Sequence, residues 1–236
     1  MMDEATIIIP VYNEEDIIVA NTKILLEHLQ SFPGKFEIIL SSNGSTDDTE
    51  ELGILLAEQY PCVRFLSIKE RGVGVAFKNA IATATYEKIV SFDMDLTVDM
   101  SFLERAMKLL DTYDIIIGSK IFGMQRRSFI RKFGSRVYVV VASTLCNLKF
   151  NDYAPSGKAY RKSVVANYLP YTDHGTSYVV ETIFRASRDN RSIIQIPINC
   201  DDRRKSKFNL FHEGLYRYCH LFKLIFARYI HDGSAR

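Results

Sequence analysis

The chain opens on a short apolar, mostly β-branched run, Ala5–Val11 (ATIIIPV), and runs of the same kind return at regular intervals. Continuous apolar runs, as opposed to alternating ones, mark strands covered on both faces. Phe36–Leu40, Val63–Ile68, Lys88–Phe92 and Asp114–Gly118 read the same way. Segments with apolar residues near helical spacing lie between them. The first starts after Asn13, a residue suited to cap a helix whose first turn holds Glu14, Glu15 and Asp16. Ile17, Ile18, Ile24, Leu25 and Leu29 follow, and Pro33-Gly34 ends the element. Further helices are predicted over about Asp47–Tyr60, Gly74–Thr83 and Met100–Leu110. Such alternation implies an α/β fold with a mostly parallel sheet and right-handed crossovers.

The second half is less regular. It predicts a basic-then-apolar helix over Phe129–Leu148, a Pro/Gly loop at Asp152–Gly157, and a helix over Thr176–Arg188 capped by Thr176 or Ser177. A strand at Ser192–Ile198 and a final amphipathic helix over Phe208–Ile230 complete it. With no repeat or low-complexity linker, the reading is one catalytic domain, 1–207, with a helical appendage, 208–236. Hydrophobic residues at 47% and charged residues at 25% are ordinary for a globular domain, and a net charge of +2 gives no general reason to expect nucleic acid. Cys62, Cys146, Cys200 and Cys219 form no C-x-x-C pair, which fits isolated thiols in a reducing compartment. The first apolar run is too short for a signal peptide, and no stretch reaches the ~20 apolar residues that span a bilayer. The expectation is a protein that is soluble or lies on a membrane.

Polar loops follow the first, second and fourth strands, at the carboxyl ends where open α/β sheets bind ligands. Asp93-Met94-Asp95 follows the fourth. Two carboxylates at i and i+2 suit a hard divalent cation, Mg²⁺ or Mn²⁺, that also takes diphosphate oxygens. By itself the triplet is a weak signal, and a solvated turn with Asp99 capping the next helix is the commoner reading. Pro10-Val11-Tyr12-Asn13-Glu14 offers a fixed backbone, an aromatic ring to stack on a base, and polar groups for base or ribose. Ser42-Asn43-Gly44-Ser45-Thr46-Asp47 follows the second strand. Arg71-Gly72-Val73-Gly74 leads into a helix carrying Lys78; its glycines permit close approach of an anion, or simply mark a turn. A nicotinamide-binding fold is disfavoured, since Pro10-Val11-Tyr12-Asn13 stands where G-x-G-x-x-G is needed.

The order PVYNEE, SNGSTDDT, RGVGVAFKNA, SFDMDL, IIIGSK strongly resembles the family 2 inverting glycosyltransferases of GT-A fold, and within them the polyprenyl-phosphate (dolichol-phosphate) sugar synthases. The resemblance spans about residues 5–207. It implies that Pro10, Tyr12, Glu14, Asn43, Gly72, Lys78, Asp93 and Met94 bind the nucleotide-sugar, and that Asp93 and Asp95 hold Mg²⁺ or Mn²⁺. DYAPSGKAY (Asp152–Tyr160) looks like the acceptor-side motif, with Asp152 a catalytic candidate; Glu181 falls where a helix-borne acid belongs. Ser206-Lys207 resembles the pair that ends the catalytic region. The chain departs from the family in four places, one being that Asp152 lies one residue farther from its Gly than usual. Ser42-Asn43 stands for Asp-Asp, which leaves guanine versus uracil open; Thr97 stands where dolichol-phosphate mannose synthases carry Gln; and the Phe that should follow Gly157 is absent.

The implied reaction is in-line displacement at the anomeric carbon of a UDP- or GDP-sugar, with inversion. A lipid phosphate is already an anion and needs no general base, only cations to hold it against the donor. Arg126, Arg127, Arg131 and Lys207 fit that task, although the first cluster also fits a solvated loop. A saccharide hydroxyl would instead need a base, Glu181 or Asp152. A third reading is a silent nucleotide-binding membrane scaffold. In the terminal helix Phe211, Leu215, Tyr218, Phe222, Ile225, Phe226 and Tyr229 share one side, and Glu213, Arg217, His220 and Arg228 the other. It suits a membrane interface or a protein surface equally. The partners expected are thus a nucleotide-sugar, a polyprenyl phosphate and the cytoplasmic face of a membrane.

Overall fold

A computed structural model describes residues 3–32, 34–126, 129–201 and 210–233. The regular first half appears as β1 (Asp3–Val11), α1 (Ile18–Gln30), β2 (Gly34–Asn43), α2 (Thr49–Gln59), β3 (Val63–Ile68), α3 (Val73–Thr83), β4 (Lys88–Ser91), α4 (Ser101–Leu109) and β5 (Ile115–Ser119). The second half supplies β6 (Gln125–Arg126), α5 (Phe129–Cys146), β7 (Lys158–Arg161), α6 (Lys162–Val165), a 3₁₀ turn (Ala166–Tyr171), α7 (Tyr178–Arg188), β8 (Ile193–Pro197), β9 (Cys200–Asp201) and α8 (Leu210–Gly233). The main sheet among the described residues runs β3-β2-β1-β4-β7-β5-β8, and β6 pairs with β9 in a small second sheet.

Strand alternation explains the continuous apolar runs. Ile8 and Ile39 face a core closed by α3, α5, α7 and α8, whereas Ile7, Ile9, Ile38 and Leu40 face one closed by α1, α2 and α4. In the main sheet the described strands pair in parallel except β7, which lies antiparallel between β4 and β5. The chain moves outward from β1 through β2 to β3, then returns to lay β4 on the other flank of β1. Crossovers therefore leave in opposite directions from β1 and β4, and the crevice between them is the switch point where such sheets bind ligands.

Four local expectations are corrected. Asn13 is not a helix cap: it has φ 52°, its Nδ2 donates to Thr46 Oγ1 at 3.2 Å, and α1 starts five residues later with no acid in its first turn. Ser41, Ser42 and Asn43 belong to β2 and are buried, because β3 pairs with them. Ser177 precedes α7 without a side-chain capping bond. Finally, β7 was not foreseen: four residues beginning with Lys and ending with Arg carry no apolar run, yet the flanking strands bury its first three residues.

The terminal helix docks through residues of both sides, Tyr218 and Ile225 from the apolar side packing on the core and Arg217 from the polar side turning inward. Leu221 and Leu224 are buried, Arg217 Nη2 donates to the Tyr153 carbonyl at 3.3 Å, and the Arg217 guanidinium lies 4.2 Å from the Tyr138 ring centroid. Leu215 and Phe222, from the apolar side, are exposed. No helix among the described residues is long and apolar enough to cross a membrane.

Glu37 is the buried polar tie of this sheet. Its carboxylate accepts from Thr6 Oγ1 at 2.6 Å, from Thr85 Oγ1 at 3.0 Å, from Arg64 Nη1 at 3.2 Å, and from the Thr85 amide. Burial pushes its pKa upward, but these donors outweigh it and hold the group below its ordinary value of 4.5. The charged form is thus favoured in the folded state, so its contribution is full above about 4.5 and is lost as pH falls through the depressed value. Glu37→Gln should cost about 1.5–3 kcal/mol at neutral pH. Urea melts across pH 3–7 should show the variant losing less stability on acidification than the wild type.

Candidate active site

The carboxyl ends of β1 to β4 lie along one edge, since these strands are parallel. Val11 is in register with Ser42, Asn43 with Ile68, and Ile8 with Ser91. Antiparallel β7 brings its amino end to the same edge, with Lys158 opposite both Ser91 and Ile117. Residues from the β4 end and the 152–158 loop therefore converge beside the switch point.

Asp93 and Asp95 extend from β4 into this crevice, both partly buried. The Asp93 amide donates to Ser156 Oγ at 3.2 Å. Burial pushes the Asp93 carboxyl up to about 6; Lys120 and Lys158 pull it down, and Asp95 adds to the rise. A divalent cation would relieve that crowding of negative charge, so the pair fits one chemically. No group of three or more His, Cys, Asp or Glu suited to a metal occurs among the described residues. A cation here would complete its shell with oxygens from outside the chain. The turn past Asp95 is tightly held. Leu96 adopts φ 49°, unusual for a bulky residue, while the Thr97 amide donates to Asp95 Oδ1 at 3.1 Å and Asn21 Nδ2 to the Met94 carbonyl at 2.8 Å. Met94, expected in the donor site, instead has its side chain buried in the core cluster that holds Phe92 and Phe102.

Behind the pair stands an unforeseen lysine. Lys158 is 0% exposed, and its ammonium donates to Asp152 Oδ1 and the Ser156 carbonyl at 3.1 Å and to the Gly118 carbonyl at 3.2 Å. Asp152 also accepts from the Ala154 amide at 2.9 Å and the Lys120 amide at 3.1 Å. Burial raises the Asp152 pKa, but Lys158, Lys120 and these amides reverse the effect and leave it below the ordinary range. Lys158 fills the position where the resembled motif carries Phe. Asp152, six residues earlier, was the sequence signal for its partner.

On the donor-side flank, Tyr12 and Glu14 are partly buried, and the Arg71 guanidinium lies 4.5 Å from the Tyr12 ring centroid. Pro10 pairs in register with Ser41 at the end of β1. The Glu14 amide donates to Thr49 Oγ1 at 2.7 Å, and Asn43 Nδ2 donates to the Val11 carbonyl at 2.9 Å, bracing the β1 end. Lys78 is exposed on α3. The glycines before it serve an unexpected neighbour. The Gly74 amide donates to the His174 carbonyl at 3.0 Å, and a Cβ on Gly74 would lie 1.8 Å from the Asp173 carbonyl oxygen. Close approach is needed here, but the approaching backbone is the 173–175 loop.

That loop is pinned from below. The Tyr216 hydroxyl donates to Asp173, the Gly175 amide donates to Tyr216 Oη at 3.2 Å, and His220 Nδ1 lies 3.5 Å from Asp173 Oδ2. His220 Nε2 lies 3.0 Å from Glu181 Oε2, and Arg185 Nη2 donates to Glu181 Oε1 at 2.9 Å. Of the acceptor-phosphate candidates, Arg126 lies in β6 and Arg131 in α5, placed by backbone alone. Arg127 and Lys207 lie outside the described residues. Arg126 is in register with Asp201, whose amide donates to the Thr97 carbonyl at 3.0 Å, so β6 is stitched to the turn beyond Asp95.

The structure is thus an open α/β sheet with a crowded carboxylate pair at its switch point. The profile of Glycosyl transferase family 2 matches residues 6–169, and the chain belongs to that family. It is 27% identical over 220 residues to glycosyltransferase AglD of Haloferax volcanii, covering 90% of this chain and 35% of that one. A dolichyl-phosphate hexose transferase of the same organism is 24% identical, with 85% and 84% covered. An undecaprenyl-phosphate 4-deoxy-4-formamido-L-arabinose transferase of Pseudomonas paraeruginosa is 26% identical, with 74% and 52% covered. The chain thus spans about a third of the first relative and about half of the third. The structure matches glucosyl-3-phosphoglycerate synthase from Mycobacterium tuberculosis in complex with UDP at a TM-score of 0.68 and 15% identity, covering 94% of this chain and 80% of that one. The shared fold is GT-A.

Two substitutions probe the site's supports. Lys158→Met strands the Asp152 charge and should cost about 3–5 kcal/mol in chemical denaturation, most of it recovered in Asp152→Leu/Lys158→Met. Gly74→Ala should cost about 1–3 kcal/mol, because backbone must move. Hydrogen exchange should show loss of protection confined first to residues 172–176.

Proposed function

We propose that the protein transfers a sugar from a nucleoside-diphosphate donor to a polyprenyl phosphate, with inversion. The observation that carries this reading is the Asp93/Asp95 pair at the switch point of a family 2 sheet, with both candidate general bases already committed elsewhere. Asp152 is spent on Lys158 and two amides, and Glu181 on Arg185 and His220. A saccharide hydroxyl would need one of them free; a phosphate anion needs neither. Two of the relatives are named for dolichyl-phosphate and undecaprenyl-phosphate, which supports the same acceptor class.

In this reading Tyr12, backed by Arg71, forms the wall for the base, with Pro10, Glu14 and Asn43 shaping the strand ends around it. Gly72 and Lys78 border the donor from α3. Asp93 and Asp95 would hold Mg²⁺ or Mn²⁺, which would supply Lewis-acid neutralisation of the departing diphosphate. Related folds have been crystallised with Mn²⁺ or Mg²⁺ and UDP. Ser156 and Lys120 position Asp93, and Asp152 positions Lys120 rather than taking a proton. Arg126, Arg127, Arg131 and Lys207 hold the acceptor phosphate. It attacks the anomeric carbon as the bond to the diphosphate oxygen breaks, and no proton changes hands. The four free thiols suit a reducing compartment, hence the cytoplasmic side.

Asp95→Asn should lower turnover by about a hundredfold or more, the rate equivalent of several kcal/mol of charge stabilisation, with thermal unfolding unchanged. Transfer to a short-chain polyprenyl phosphate, read by radiolabelled sugar, should exceed transfer to any saccharide in a panel. Survival of transfer in Asp95→Asn, or preference for a saccharide hydroxyl, would overturn the proposal.

A further inference from the structure

α5 is apolar on two sides. Tyr138, Val139, Ala142 and Cys146 are buried against the core. On the opposite side Phe129 is 80% exposed, Phe133 61% and Val140 62%, with Val137 also exposed. At about 100° per residue these four positions fall within one arc of roughly 80°, and at 1.5 Å rise they run along about 16 Å of helix. The Phe129 and Phe133 rings stack on each other with centroids 6.4 Å apart, so the stripe begins as one aromatic ridge. An ordinary surface helix carries polar residues on its outer face. Here exposed Arg136 interrupts the ridge, and Lys132 lies between its two rings in sequence.

The charge of this part of the chain says what covers the ridge. From Ile115 to Asn151 the sequence carries seven Lys or Arg and no Asp or Glu, although the whole chain has 28 acids against 30 bases. A hydrophobic protein partner alone would not call for such an exclusion of acids. A surface with dense negative charge over an apolar interior does, and an anionic bilayer is that surface. Next to α5, α8 leaves Leu215 and Phe222 exposed.

We infer that the outer face of α5 is a docking site for the surface of an anionic lipid bilayer, with Phe129, Phe133 and Val140 entering the headgroup boundary and neighbouring basic residues meeting lipid phosphates. Its use in catalysis rests on the lipid-phosphate reading above, but the docking itself does not, and the two are separable by experiment.

Full-length protein is floated with vesicles of phosphatidylcholine alone and of phosphatidylcholine with phosphatidylglycerol, without donor. Binding should require the anionic lipid and weaken with rising salt. Phe129→Ser/Phe133→Ser should reduce vesicle partitioning at least tenfold while leaving the unfolding temperature and turnover of a short-chain, water-soluble acceptor unchanged. Asp95→Asn should still bind vesicles, so loss of transfer cannot be mistaken for loss of docking. In a second variant Val140→Lys should weaken partitioning in the same assay. Equal vesicle binding by wild type and the double variant, or no binding by the wild type, would overturn the inference. So would a wild-type dimer in sedimentation that the double variant dissolves, because the ridge would then be covered by a second copy.

Discussion

A lysine with no access to water must find an acceptor for each of its three N–H groups, and the way Lys158 does so organises the active-site edge of the sheet. Its acceptors come from the end of β5 (Gly118) and from two points, Asp152 and Ser156, of the segment that joins α5 to β7. Two stretches of chain, the end of β5 and the segment between α5 and β7, are thereby held to one point. From that point Ser156 reaches the Asp93 amide, and the Lys120 amide is fixed by the other oxygen of Asp152. Full desolvation makes each of these bonds costly to lose, so the support behind Asp93 is rigid in a way that surface ion pairs could not make it.

The same economy of polar groups appears across the crevice. The glycines after β3 admit the backbone of the 173–175 loop, and Tyr216 and His220 from α8 hold that loop through Asp173. The terminal helix is thus linked through one loop to the strand ends that shape the site. Arg217 and His220 of its polar side face inward to partners there, Tyr218 and Ile225 of its apolar side pack on the same core, and Leu215 and Phe222 are left exposed beside the apolar outer face of α5. Amphipathicity tells which residues share a side and not which side turns to the protein.

Much of the fold was legible before the structure. The β-branched runs are long enough, and their separations regular enough, that a parallel sheet covered on both faces was the reading of the first 119 residues, and β1 to β5 follow it. Asp93 and Asp95 were legible for the same reason, since they directly follow such a run. β7 was not, because a strand shielded by two neighbours needs no apolar pattern of its own when its lysine is neutralised by an aspartate from the segment that leads into it. The Asn13 cap failed because its side chain found Thr46, 33 residues away, before the helix could begin.

Sequence by itself determined the strand-and-helix alternation, the carboxylate pair and its place after a buried strand, and the family to which these motifs belong, because each depends on residues close together along the chain. Only the tertiary structure decided that Gly72 and Gly74 receive a loop of the protein itself, that Asp173 is held by Tyr216 and His220, and that Arg217 turns inward. Those outcomes depend on which distant groups meet where water is excluded, and pairing across that distance leaves no periodicity to read.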